Sequence, residues 1–452
     1  MTAAEMKAPA QAEGFVATGV PFREALSVWA KIGLINFGGP AGQIALMHRI
    51  LVEEKRWIDE ARFLHALNYC MLLPGPEAMQ LAAYVGWLMH GTRGGLAAGV
   101  LFVFPGFLVL LALSIVYALY AEIAAVQGVL FGLKAAVLAV IAEALLRLSR
   151  RALKSRAAFV IAAAAFLAIA FFSVPFPLIV AAAAVTGFFL ARRESTPLRS
   201  GTVGTDRPSL ARPEDPWAES ARAVLVWGVV WLGPVSLLAL LLGLHHVFTQ
   251  EALFFSKVAV VTFGGAYAVL AYVAQQAVEA QGWLTPGEML TGLGLAETTP
   301  GPLILVLIFV GFLGGYRGET GLDPLLAGTI GAVVTLWTTF VPSFLFIFAG
   351  APFIERLRDN RYLAGALAAV TAAVVGVVAN LAFWFGLHVL FGNVDEAGVG
   401  PVTLPIPEPT SFDPAAALIA LAAGVALLRF HVGVVTVLAA AAAAGALIRL
   451  LG

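Results

Sequence analysis

The chain has 452 residues, 60% hydrophobic and 12% charged, with a formal net charge of zero and a mean hydropathy of +0.92. A soluble protein of this length carries about twice that share of charge, so the soluble globular classes are excluded, and neutrality offers nothing to nucleic acid. The composition is that of a polytopic helical protein whose first partner is the lipid bilayer; a transmembrane barrel is excluded because its strands would alternate polar and apolar residues.

Residues 1–20 are polar and Ala-rich, without the apolar core of a signal peptide, and read as a tail with a cytoplasmic N-terminus. Arg23 then opens an apolar stretch that contains Lys31, is interrupted by Gly38-Gly39-Pro40, and gives way to Arg49, Lys55, Arg56 and Arg62. Lys and Arg collect in cytoplasmic loops, so this segment starts and ends on one side and must turn back inside the bilayer. Helix interiors disfavour Gly, and Pro removes a hydrogen bond there; Gly38-Gly39-Pro40 is therefore the expected turn. By the same reasoning Pro74-Gly75-Pro76 is the tip of a second re-entrant hairpin, returning near His90–Arg93. The alternative at each break is a kink in an ordinary crossing helix. Cys70, the one cysteine, cannot form an intrachain disulfide and reads as a small buried apolar residue.

Further along, Leu101–Tyr120, Val224–Leu244, Leu325–Phe348 and Leu363–Leu390 are long enough to cross, at about 20 residues each. The last two apolar runs, Ala415–Arg429 and Val432–Leu450, match no counterpart and stand as either peripheral helices or the contact of a homodimer. No Walker A loop, CxxC or HExxH occurs; neither ATP hydrolysis nor a metal or other cofactor is expected.

The sequence repeats itself. Lys31, Phe37-Gly38-Gly39, Glu53, Trp57 and Pro74-Gly75-Pro76 recur, in the same order and at one constant step, as Lys257, Phe263-Gly264-Gly265, Glu279, Trp283 and Pro300-Gly301-Pro302. Phe104-Pro105-Gly106-Phe107 and Val341-Pro342-Ser343-Phe344 correspond at a larger shift. Self-similarity of this kind marks a tandem duplication. It divides the chain into a first domain (21–192), a linker rich in Pro, Ser, Arg and acids (193–221), and a second domain (222–452) with its repeat core at about 251–391.

Charge sets the orientation. The Arg49–Arg62 loop is basic, whereas its counterpart Ala274–Glu288 has no Lys or Arg. After the FPGF helix only Glu122 precedes the next apolar run, whereas Arg356, Arg358 and Arg361 follow the VPSF helix. The asymmetry reverses between the halves. The expected fold is all-α and polytopic, with two inverted-topology repeats, each containing broken or re-entrant helices at its FGG and PGP tips plus transmembrane helices. Transporters built this way hold substrate near the midplane, where the repeats meet.

A helix restarting after such a break offers unpaired N–H groups and a positive dipole end, which suits an anion. The candidate anion path therefore comprises Gly38, Gly39, Pro40 and Gln43; Pro74, Gly75, Pro76 and Gln80; Gly264 and Gly265; and Pro300, Gly301 and Pro302. Asn36, Thr298 and Thr299 flank the breaks and can bond either an oxyanion or freed backbone. Lys31 and Lys257 either attract the anion or snorkel to the interface. Glu77 and Glu297 are candidates for proton coupling, with helix capping as the alternative. His48, Arg49 and Arg62 either recruit the anion from the cytoplasm or serve as orientation signals. Trp57 and Trp283 read as interface anchors.

The stretch "FGGPAGQIALMHRILVEEKRWIDEARFLHALNYCMLLPGPEAMQLAAYVGWLMHG" strongly resembles the signature of the chromate ion transporter (CHR) family, and "FGGAYAVLAYVAQQAVEAQGWLTPGEMLTGLGLAETTPGP" resembles that family's second repeat. The resemblance implies a long, two-domain bacterial member. Such a protein is a multi-pass carrier of the inner membrane that exports chromate, is driven by the proton-motive force, and has sulfate as a competitor. The rival readings are a carrier of sulfate or another oxyanion, and a passive anion channel. A membrane-embedded reductase is disfavoured, since Cys70 stands alone.

Overall fold

Helix dominates because hydrocarbon offers the backbone no partner but itself. The computed structural model describes residues 16, 19–37, 39–193, 215–263, 266–353, 360–399 and 402–451; Gly38, Gly264, Gly265, Arg356, Arg358 and most of the expected linker lie outside the described residues. In the first half, α1 (Phe22–Ile35) and α2 (Gly39–His48) lead through a π-turn (Arg49–Glu54) to α3 (Glu60–Cys70), α4 (Glu77–Tyr120), α5 (Ala124–Ala152), α6 (Arg156–Phe172) and α7 (Phe176–Arg193). The second half has α8 (Pro216–Leu242), α9 (Val247–Val261), α10 (Ala266–Ala274), another π-turn (Gln275–Ala280), α11 (Pro286–Thr298), a 3-10 turn (Leu303–Leu305), α12 (Val306–Arg317), α13 (Pro324–Gly350) and α14 (Arg361–Leu390). A short antiparallel hairpin of β1 (Val394–Val399) and β2 (Val402–Pro407) precedes α15 (Pro414–Leu428) and α16 (Val434–Leu451). Among the described residues six helices are long and apolar enough to cross a membrane. The chain is an all-α, multi-pass membrane protein with one small β-hairpin.

The chain turns back at its first break. Val16 and Ile58 pair as an isolated antiparallel bridge, and Lys55 meets Glu24 at 2.9 Å. The far end of the α2 arm thus lies beside the start of α1, which a kinked crossing helix could not achieve. α4 is two arms: His90 and Gly91 leave helical dihedrals, with Gly91 at φ +61°. The arm before them pairs with α3 as a second hairpin, and the arm after them is long enough to cross.

That second arm serves as a ruler. At its start His90 bonds the Val20 carbonyl (2.8 Å), at the open end of the first hairpin. At its far end Tyr117 donates to Glu288 (2.9 Å), which Arg317 also binds (2.8 Å), at the open end of the α11–α12 hairpin. Gly91 to Tyr117 spans about 40 Å at roughly 1.5 Å per residue, against a hydrocarbon core of about 30 Å. The hairpins of the two halves therefore open at opposite ends of this arm. Their tips meet near its middle, where Asn36 bonds the Phe102 carbonyl and Gly106 abuts Pro300.

The outer helices are exchanged between halves. α6 and α7 pack on α14, whereas α15 and α16 pack on α5. The contacts are made through small residues, as is common between membrane helices: Gly128 and Gly132 of α5 lie against Gly445, and Gly365 of α14 lies against Gly187. The last two helices are thus packed into the bundle. α8 is different: it runs beside α13, with Ser220 bonded to the Ala349 carbonyl (2.6 Å), and turns Leu240 and Leu241 (83% and 72% exposed) outward, as a lipid-facing surface requires.

Candidate functional site

Each tip reaches across to the other half. The Gly75 N–H donates to the Thr262 carbonyl (2.8 Å), and the Gly301 N–H donates to the Asn36 carbonyl (3.2 Å). Gly301 matches Gly75 and Thr262 matches Asn36 in the repeat, so the crossing is made twice with donor and acceptor halves exchanged. Gly75 (φ +125°) and Gly301 (φ +107°) hold backbone conformations that side chains rarely adopt. Pro74 and Pro76 frame one tip and Pro300 and Pro302 the other; Gly39 (φ +70°) and Pro40 open α2.

Glutamine ties the crossing. Gln43 Nε2 donates to the Asn36 carbonyl (2.9 Å) and to the Gly301 carbonyl (2.5 Å), one in each half. Gln80 Nε2 closes its own tip on the Pro74 carbonyl (2.7 Å). The matching positions in the second half are Val269 and Val306, so the first half supplies both amides. Both Gln43 donors are thereby spent; Gln80 retains one. Asn36 Oδ1, Gln43 Oε1 and Gln80 Oε1 are buried without a partner.

These bonds cap the backbone carbonyls of the tips, while the three buried amide oxygens beside them stay bare. The carbonyls at the tips, of Asn36, Thr262, Pro74 and Gly301, each receive a hydrogen bond. The first-turn N–H groups of α2 and α4 have no intrahelical acceptor; in the 3-10 turn the Leu305 N–H is bonded to the Pro302 carbonyl (2.9 Å). Where carbonyl ends are neutralised and N–H ends are open, a buried anion is favoured over a cation.

The remaining candidates divide. Lys31 and Lys257 are exposed in mid-arm, and Lys257 lies 5.9 Å from the Tyr272 ring. Glu77 is half-buried at the start of α4, with Arg151 of α5 within electrostatic reach. Glu297 accepts from the Tyr267 hydroxyl at 2.5 Å, with Glu143 and Arg147 of α5 as charged neighbours. Thr298 and Thr299 donate to the carbonyls of Leu295 and Ala296, so their hydroxyl protons are used locally. His48 is flanked by Glu53 (3.2 Å) and Glu60, and Arg49 lies 3.5 Å from Glu54 with its side chain exposed. Arg62 is half-buried in α3, and its Nε has no partner. Trp57 and Trp283 are buried.

The family model described as Chromate transporter matches residues 23–188 and 249–446. The chain belongs to the chromate transporter family. This is a family of transporters, not enzymes. A relative named chromate transport protein in Pseudomonas aeruginosa is 34% identical over 349 residues, 77% of each chain. One of the same name in Cupriavidus metallidurans is 27% identical, covering 79% of this chain and 80% of its own. A probable chromate transport protein of Synechococcus elongatus is 29% identical over 77% of this chain and 81% of its own. No solved structure matches.

In this chromate transporter family member, sequence reading missed three partners of the tips. Tyr267 stands where the first half has Ala41, so no repeat match pointed to it. Ser343 Oγ lies 2.8 Å from where a Gly75 side chain would begin, and Gly106 accommodates the Pro300 carbonyl; both come from the proline-containing crossing arms. The FPGF and VPSF match marked these arms without saying that each one packs on the other half's tip.

Proposed function

We propose that this chain is a carrier that exports chromate across a bacterial inner membrane, driven by the proton-motive force, with sulfate competing. Its two domains, 21–192 and 222–452, act as inverted repeats joined by the 193–221 linker, and access alternates around the crossed tips. The observation that carries the reading is the meeting of capped tip carbonyls with the N-terminal ends of α2 and α4 where the hairpin arms cross. The two separate matches to the family model and the constant step between matched residues support the repeat. The step widens by Pro105 and Pro342, and Ala124 and Arg361, which begin α5 and α14, keep that wider spacing. α8, a single helix between the halves, supplies the odd crossing that inversion needs. Lys31 and Lys257, on matched arms, draw the dianion toward the tips from the two faces.

The test is chromate uptake into everted membrane vesicles with and without a proton gradient. The expected result is saturable, uncoupler-sensitive uptake that sulfate reduces. Lys31→Ala and Lys257→Ala should each lower it about tenfold, as the loss of roughly 1.4 kcal/mol of attraction would. Uptake no greater than in vesicles lacking the protein would refute chromate as substrate. Conductance that is indifferent to the gradient would point to a channel.

A further inference from the structure

One acid is buried where nothing in the repeat requires it. Glu251 lies one turn into α9 and is 0% exposed; neither carboxylate oxygen meets full hydrogen-bonding geometry, and the donor nearest to it is the Gly315 backbone N–H. Its oxygens fit against two glycines: a Cβ on Gly314 of α12 would sit 2.5 Å from Oε1, and one on Gly331 of α13 would sit 2.9 Å from Oε2. The Trp283 ring covers Gly314 beside it. The carboxyl thus occupies a notch between three helices, built from backbone and an indole. The matching position in the first half is Ala25, also buried, so the acid is present in one half alone.

Among the described residues, the surroundings supply no counter-charge. On its own helix, His246 caps the start, and Lys257 is exposed near the Tyr272 ring. On α12, Tyr316 stacks on Phe312 and Arg317 is bound to Glu288. Asp323 caps α13, and Tyr267 of α10 is bonded to Glu297. Glu279 of the second π-turn lines a pocket with Asn380 and Trp384, and Glu219 and Arg222 lie at the opposite end of α8. An unpaired carboxylate charge in such a place is among the costliest groups a fold can bury. The neutral acid is not. Nor does the notch suit a metal cation, since the groups against the oxygens are glycine backbone and a ring rather than a shell of ligand oxygens.

We propose that Glu251 is the proton-binding site of this carrier, neutral where the seam between α9, α12 and α13 closes over it and ionised when that seam opens to cytoplasmic water. When the seam opens toward the outer face, a proton from water there forms the carboxyl O–H bond; when it opens toward the cytoplasm, that bond breaks and the proton passes to water on the inner side, so the acid is reloaded only after it returns to the outer face. The neutral acid fits the closed seam, so closing from the outer face is tied to proton uptake, and a conformational step that repacks these helices moves one proton per cycle. The proposal rests on the carrier reading above.

The test uses the full chain reconstituted in liposomes, comparing wild type with Glu251→Gln, which keeps the shape and the neutral state. Net chromate flux driven by a pH gradient should fall to its gradient-free level, while chromate–chromate exchange at equal pH keeps the wild-type rate. Glu251→Asp should retain gradient-driven flux. Infrared difference spectra after a pH jump should show a protonated-carboxyl band in wild type that shifts in Glu251→Asp. The proposal is overturned if Glu251→Gln keeps gradient-driven flux, if it loses exchange as well, if the band does not shift, or if wild-type flux follows sodium instead of protons. No chromate exchange by wild type would instead refute the carrier reading itself.

Discussion

Replacing Gly106 by valine abolishes transport, whereas Gly233→Ala in α8 leaves it at the wild-type rate. The first Cβ would overlap the Pro300 carbonyl and come within 2.6 Å of Leu305 Cδ1, while nothing lies within 4 Å of the second. Pro300 is backbone at the tip and cannot swing aside as a flexible side chain does. The crossing arm must therefore separate from the tip, and the neighbouring Gly301–Asn36 bond goes with it. Overpacking costs about 1–3 kcal/mol and a stranded buried donor about as much again. At about 1.4 kcal/mol per factor of ten, the sum is a loss of roughly 30-fold or more. The measurement is initial chromate flux per amount of folded protein, and a rate within twofold of wild type would place the tip contact outside the transport cycle.

Gln43→Leu is expected to do more damage than Gln80→Leu, although the two glutamines sit in similar places after their breaks. Gln43 is the strap between halves: losing it strips a donor from Asn36 and from Gly301 together. The Gly301 carbonyl is then left bare in the interior, at a cost of about 1–3 kcal/mol, while the Asn36 carbonyl keeps the Gly301 N–H as its one donor. Gln80 closes a loop within its own tip and has one bond to lose. Transport and thermal unfolding midpoint should both fall further for Gln43→Leu. The reverse order would mean that the tips are held from within each half and not by their crossing.

Much of this arrangement was legible in the residues. The Gly and Pro breaks from Lys31 to Pro76 and from Lys257 to Pro302 marked where helices end, since few other residue types tolerate such breaks. Which tip touches which was not legible, because reciprocity between Gly75–Thr262 and Gly301–Asn36 is tertiary. The pairing of His48 with Glu53 and Arg49 with Glu54 was hidden for a local reason. The partners are five positions apart, which an α-helix separates and a π-turn at Arg49–Glu54 brings closer. α15 and α16 had no visible counterparts because Ala-rich runs carry no position-specific marker, and an inserted β-hairpin shifts their register. Trp57 and Trp283 are buried at the hairpin bases, a contact with neighbouring helices that the sequence did not show.

The central claim is that the halves face opposite ways. Arg56 (φ +51°) and Gly282 (φ +62°) occupy the same turn at the base of each half's first hairpin, at matched positions of the repeat, and both are exposed. In a Cys70→Ala background, Arg56→Cys and Gly282→Cys can be probed with a membrane-impermeant maleimide, in intact cells and in everted vesicles. The account predicts that Gly282→Cys labels in intact cells and Arg56→Cys labels in everted vesicles alone. Labelling of both from the same face would contradict it.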